Sequence, residues 1–86
     1  MKNARLVYGN RVPESLSNLY WRGDCTDFDI LDVVEDATTA DELIDGLNGL
    51  KLFYKFKLDR ETDSYVRLVS EDDLGNRHYL KAWKEA

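Results

Sequence analysis

The chain has 86 residues, enough for one domain around one core and too few to enclose a deep pocket. With 43% hydrophobic and 12% aromatic residues it has the composition of a folded chain, not a disordered one. The net charge of −5 argues against indiscriminate binding to nucleic acid or anionic membranes, and the single cysteine, Cys25, excludes an internal disulfide.

Asn3 to Tyr8 reads as a strand (about 3–8), with Ala4, Leu6 and Tyr8 on one face, and Gly9-Asn10 breaks it. Pro13 is placed to open a helical turn that aligns Leu16, Leu19 and Tyr20. A strand through Leu19-Tyr20-Trp21 fits residues 14–22 equally well, so both readings stand. From 27 to 37 the strand template fails at Asp32. The helix template fits, because Ile30, Val33, Val34 and Ala37 recur at i, i+3, i+4 and i+7, with Thr26 as N-cap and Asp29 near N3. Thr39-Ala40-Asp41-Glu42 has the S/T-x-x-E form of a capping box. It opens a second helix (about 40–48) with Leu43, Ile44 and Leu47 as its stripe and Gly46, Asn48 and Gly49 as its stop.

The period then changes from helical to two. Residues 51–58, 64–70 and 77–83 alternate, separated by polar turns over 59–63 and 71–76, which is the pattern of a three-stranded antiparallel meander. The expected fold is therefore α+β in a single domain (1–86), the N-terminal strand joining the meander and both helices packing on one sheet face. That face should carry Leu52, Tyr54, Phe56, Leu58, Val66, Leu68, Leu80 and Ala82.

Charge is segregated along the chain. Residues 24–50 hold nine acids and no Lys or Arg, whereas residues 51–60 hold Lys51, Lys55, Lys57 and Arg60. On the helices, Asp29, Asp32, Glu35, Asp36, Asp41 and Asp45 should face solvent as an acidic surface. The sheet face away from the helices should carry Phe53, Lys55, Lys57, Tyr65, Arg67, Tyr79, Lys81 and Trp83, together with Val69 and Arg77. A charge run is commonly no more than a solvated helix face, and aromatic–cation pairs across strands commonly do no more than stabilise a sheet.

Motifs for chemistry are sparse. His78 is the only histidine and is read as an ordinary structural or surface residue, since a nucleophile pair with Cys25 would rest on two unlinked residues. No zinc-type cysteine spacing occurs. Asp59-x-Glu61-x-Asp63 has Ser64 where a calcium loop needs glycine and Ser70 where it needs the closing glutamate, so it is read as a polar turn. Phosphate-binding glycine motifs are absent, and Arg22-Gly23-Asp24 is treated as coincidence. No metal, cofactor or catalytic residue is expected, and the protein is read as a non-enzyme.

The start of the chain has no apolar leader and no run approaches the ~20 apolar residues of a membrane span, so a cytoplasmic protein without membrane contact is expected. The leading functional expectation is a binding protein that offers its acidic helices to a basic partner protein. An inhibitor of a nucleic-acid-handling protein would suit, an analogy with small acidic phage inhibitors by size and charge alone. The alternative is a binder of single-stranded nucleic acid or a phosphate ligand through the basic-aromatic sheet face, and homodimer formation is a third option.

Overall fold

The computed structural model describes residues 1–10, 12–19, 26–50 and 52–85. Five strands, β1 (Lys2–Tyr8), β2 (Val12–Glu14), β3 (Lys57–Glu61), β4 (Tyr65–Glu71) and β5 (Arg77–Trp83), form one antiparallel sheet in the order β2-β1-β5-β4-β3. The helices α1 (Asp27–Asp36) and α2 (Ala40–Asn48) lie on one face of it. The α+β class read from the sequence is the observed one, with one strand, β2, beyond the expected meander and N-terminal strand.

Core residues follow the two periods. From α1 come Ile30 and Val34, from α2 Leu43 and Leu47, and from the strands Leu6, Val66, Leu68, Leu80 and Ala82, all in one buried cluster. Register explains why the sheet has a clean apolar side: Leu6 faces Leu80, Leu80 faces Leu68, and Val66 faces Ala82. Burying each such side chain contributes about 1.5–3 kcal/mol before entropy is counted.

Both helix starts behave as predicted, one with a shift. At α1 the Thr26 backbone N–H donates to the Asp29 carboxylate at 2.7 Å. At α2 the Glu42 N–H donates to Thr39 Oγ1 at 3.1 Å, but the Glu42 carboxylate reaches one residue further back, to the Thr38 N–H at 3.1 Å.

Several expectations need correction. The alternating stretch 51–58 is not one strand, since β3 begins only at Lys57. Residues 52–56 run as a connection whose backbone is held by other partners. The Asn48 side chain clips Phe56 on both sides, with Nδ2 donating to the Phe56 carbonyl at 3.1 Å and Oδ1 accepting from its N–H at 2.9 Å. The Phe53 N–H donates to the Leu19 carbonyl at 2.9 Å. Phe53 and Lys55 therefore do not lie on the outer sheet face. Leu58, expected in the core, is 46% exposed, because β3 is the edge strand and every residue of it is open to solvent. The polar turn predicted over 59–63 is shorter, because β3 continues to Glu61; Thr62 closes the turn, its Oγ1 accepting from the N–H groups of Ser64 and Tyr65 at 3.1 Å.

Pro13 opens no helical turn. It sits in β2, an edge strand that tolerates a missing N–H, and the 3-10 turn starts later, spanning Leu16–Leu19. Tyr20 and Trp21, on which the competing strand reading rested, lie outside the described residues. The first helix ends at Asp36, one residue earlier than predicted, with Ala37 as its C-cap. Gly46 is no stop signal, since α2 runs through it. A Cβ at Gly46 would stand 2.6 Å from Val33 Cγ1, so the glycine is what lets α2 approach α1.

Candidate functional site

Three charged regions emerge from this arrangement. The first is the solvent side of α1 and α2. Asp29, Asp32, Glu35, Asp36, Asp41 and Asp45 are all exposed, and none forms an ion pair among the described residues. Asp29 is partly committed to its own helix, through the Thr26 cap. Helical geometry puts Phe28 at the centre of the outer side of α1, on the far side from Ile30 and Val34, with Asp32 and Glu35 one and two turns on. Phe28 is 75% exposed and its neighbour Leu31 is 39% exposed. Sequence reading missed these two residues. The signal is nonetheless present, because both fall off the stripe of Ile30, Val33, Val34 and Ala37 that accounts for the core.

The second region is the outer sheet face. Tyr65, Arg67, Tyr79, Lys81 and Trp83 lie there as predicted and are half-buried, while Lys57 sits opposite Val69 at the margin. Lys81 Nζ stands 3.9 Å from the ring centre of Tyr65 and 4.7 Å from that of Trp83. The Arg5 guanidinium lies 5.7 Å from Trp83 and that of Arg67 lies 5.1 Å from Tyr79. Arg67 Nε also donates to Asp59 Oδ2 at 2.6 Å, and Lys84 pairs with Glu61 at 2.8 Å. Asp59 and Glu61 lie on β3, not in a turn, and face separate cations, Arg67 and Lys84.

The third region is a cluster that sequence reading missed. His78, on the inner face of β5, is buried, with Nδ1 3.0 Å from both Glu14 carboxylate oxygens and Nε2 3.2 Å from Asp72 Oδ2. Tyr54 stacks on the imidazole at 4.7 Å and Tyr8 meets it edge-on at 5.1 Å. Glu14 points inward because it faces Leu6 in the β1–β2 register. Asp72 is held by the β4–β5 hairpin, where its Oδ1 accepts from the N–H groups of Leu74 and Asn76 at 2.9 Å. Desolvation acts to raise the Asp72 carboxyl, but the Asn76 N–H, His78 and the Leu74 N–H outweigh it and hold the group below the ordinary carboxylate range. Burial, followed by the negative charge of Asp72, Glu14 and Asp73, pushes the Tyr54 phenol above its ordinary value.

A neutral imidazole has one N–H and satisfies one carboxylate; the doubly protonated ring satisfies both. With both nitrogens occupied and the ring covered by tyrosines, His78 is a structural clasp between β2, β5 and the β4–β5 hairpin. Of the two ordinary readings of His78, structural and surface, its burial leaves the structural one. Cys25 and Arg22-Gly23-Asp24 lie outside the described residues. Among the described residues no group of His, Cys, Asp and Glu is arranged to hold a metal ion, and no helix is long and apolar enough to cross a membrane.

The fold thus defines a small α+β sheet protein whose helices, among the described residues, lie on one side of the sheet. Compared with family models, curated proteins and solved structures, the chain matches none.

Proposed function

We propose that the protein is a non-enzymatic binding protein that docks its acidic helical surface on a basic partner protein. The observation that carries this reading is Phe28, a large apolar side chain left 75% exposed in the middle of a carboxylate surface. A buried apolar anchor surrounded by a charged rim is the usual anatomy of a protein–protein contact. The surrounding Asp32, Glu35 and Asp36, with Asp41 and Asp45 on α2, have no cation of their own among the described residues, so their field extends outward and steers a cationic surface toward Phe28 and Leu31. The partner's chemistry is a basic patch around an apolar recess. Clefts that hold nucleic acid are basic, and occupation of such a cleft by these carboxylates would make the protein an inhibitor of a nucleic-acid-handling protein.

The test is a comparative capture from native host lysate at low and physiological salt, with wild type, F28A and a D32N/E35Q/D45N variant. The expected result is a basic protein retained by wild type, lost from both variants and weakened by salt. A partner retained equally by both variants, or no salt-sensitive partner at all, overturns the reading.

A further inference from the structure

The strand register brings together cations that are far apart in sequence. Arg5 on β1 faces Lys81 on β5, Lys81 faces Arg67 on β4, and Arg67 faces Arg60 on β3. Directly opposed residues of antiparallel strands point to the same face, so these positive side chains form one row across the sheet, spanning about 14 Å at the usual strand spacing. A β-bulge between Leu58 and Arg60 is what completes the row. Without it, Arg60 would share the inner side with Leu58. Like charges placed directly opposite one another destabilise a sheet, so the row works against folding. Only Arg67 is met by a carboxylate, that of Asp59; Arg5, Lys81 and Arg60 have none within ion-pair distance among the described residues.

Aromatic rings flank the row on both sides. Trp83 and Tyr65, themselves opposite one another, lie along one edge, and Tyr79 lies along the other. All three are half-buried, and each is met by a cation of the row, Lys81 over Tyr65 and Trp83 and Arg67 over Tyr79, that a phosphate would draw aside to free the ring. An inner face filled by the helices and an open outer face of alternating rings and cations is a platform that suits splayed bases and their phosphates together. A duplex, its bases stacked inside, could use only the cations.

We propose that the outer sheet face binds single-stranded nucleic acid, with Arg5, Lys81 and Arg60 on phosphates and Trp83 and Tyr65 stacking bases. The surface lies on the other side of the sheet from the acidic helices, and its occupant is independent of the partner proposed for them.

The experiment is fluorescence anisotropy of an end-labelled oligo(dT) with the full chain, from low to moderate salt, using R60Q, K81Q and W83L, and a D32N/E35Q control. R60Q changes a solvent-exposed edge residue, so its fold is secure, and thermal melts monitor the others. Wild type should bind, and tightly enough only at low salt. R60Q and K81Q should each reduce the slope of log affinity against log salt by about 0.7, the value for one phosphate contact on a single strand. W83L should weaken binding roughly 5- to 150-fold, the range for loss of one base stack. The control should bind at least as well as wild type. The proposal is overturned if no binding occurs at low salt, or if a duplex or heparin binds as tightly with no dependence on Trp83, which makes the row a plain polyanion surface. It is equally overturned if light scattering shows self-association that R60Q abolishes, which makes a second copy the occupant.

Discussion

The two faces of the sheet handle charge in opposite ways. At one end of the apolar inner face, buried His78 is held between the partly buried Glu14 and Asp72, and each contact is within 3.2 Å. On the outer face cations and rings share solvent: Arg5 and Lys81 rest on rings, and Arg67 meets both a ring and a carboxylate. Taking charge out of water makes each partner indispensable, whereas at the surface water replaces a lost partner at little cost. Stability therefore resides chiefly on the inner face.

The largest effect should come from His78. H78L takes the imidazole from between the Glu14 and Asp72 carboxylates, and losing the hydrogen bond to the nearly buried Glu14 alone costs about 1.5–3 kcal/mol, with the Asp72 bond and the packing of the ring lost besides. H78Q, which offers an amide N–H to one carboxylate, should fall between wild type and H78L in urea unfolding. Equal stability of H78L and wild type would mean that the clasp is a surface contact after all, and the contrast between the faces would fail. Next is L68A, at the centre of the inner face and fully buried, which should lose about 2–5 kcal/mol through transfer and cavity terms.

The sequence shows the inner apolar layer more readily than the polar clasp, for a physical reason. Strand alternation is local: Val66, Leu68, Leu80 and Ala82 announce a buried face within a few residues of one another. The clasp joins Glu14 to His78 across a separation of 64 residues, and no local pattern encodes that approach. β2 is hidden because three residues containing Pro13 carry no period. The start of β3 is misplaced by alternation because the Asn48 amide, not a neighbouring strand, satisfies the backbone at Phe56. The acidic helix surface is legible from spacing alone, and Phe28 is legible as a residue the stripe does not need. The cation row is only half legible: Lys81 and Arg67 follow from alternation, but Arg60 joins them through a bulge that alternation does not predict.

The acid limb of stability sharpens the comparison at one residue. The Asp72 carboxyl sits lower in the folded chain than its ordinary value near 3.8, so the folded state favours its ionised form. That stabilisation is fully present above the ordinary value and is lost as pH falls through the lowered, folded one. Wild type should therefore lose stability as pH drops below about 4. D72N, which removes the titrating group while keeping an oxygen for the Leu74 and Asn76 N–H groups, should be less stable at neutral pH and show a shallower acid limb. An unchanged acid limb in D72N would assign that limb to other carboxylates.

The smallest effect should come from Arg67, one residue from Leu68 on the same strand but on the other face. It has a dense set of contacts on the outer face, a 2.6 Å bond to Asp59 and the ring of Tyr79. Yet its side chain is a third exposed and its partner Asp59 about a quarter. Exposed ion pairs and cation–π contacts each contribute on the order of 0–1 kcal/mol, and removing Arg67 also relieves repulsion from Lys81 and Arg60 on either side. R67A should therefore change stability by less than about 1 kcal/mol in either direction. High salt should narrow the difference further, because it screens the Asp59 attraction and the repulsion along the row alike. A loss from R67A comparable to that from L68A would show that the outer lattice holds the sheet together, and the row would then be explained by folding without any ligand.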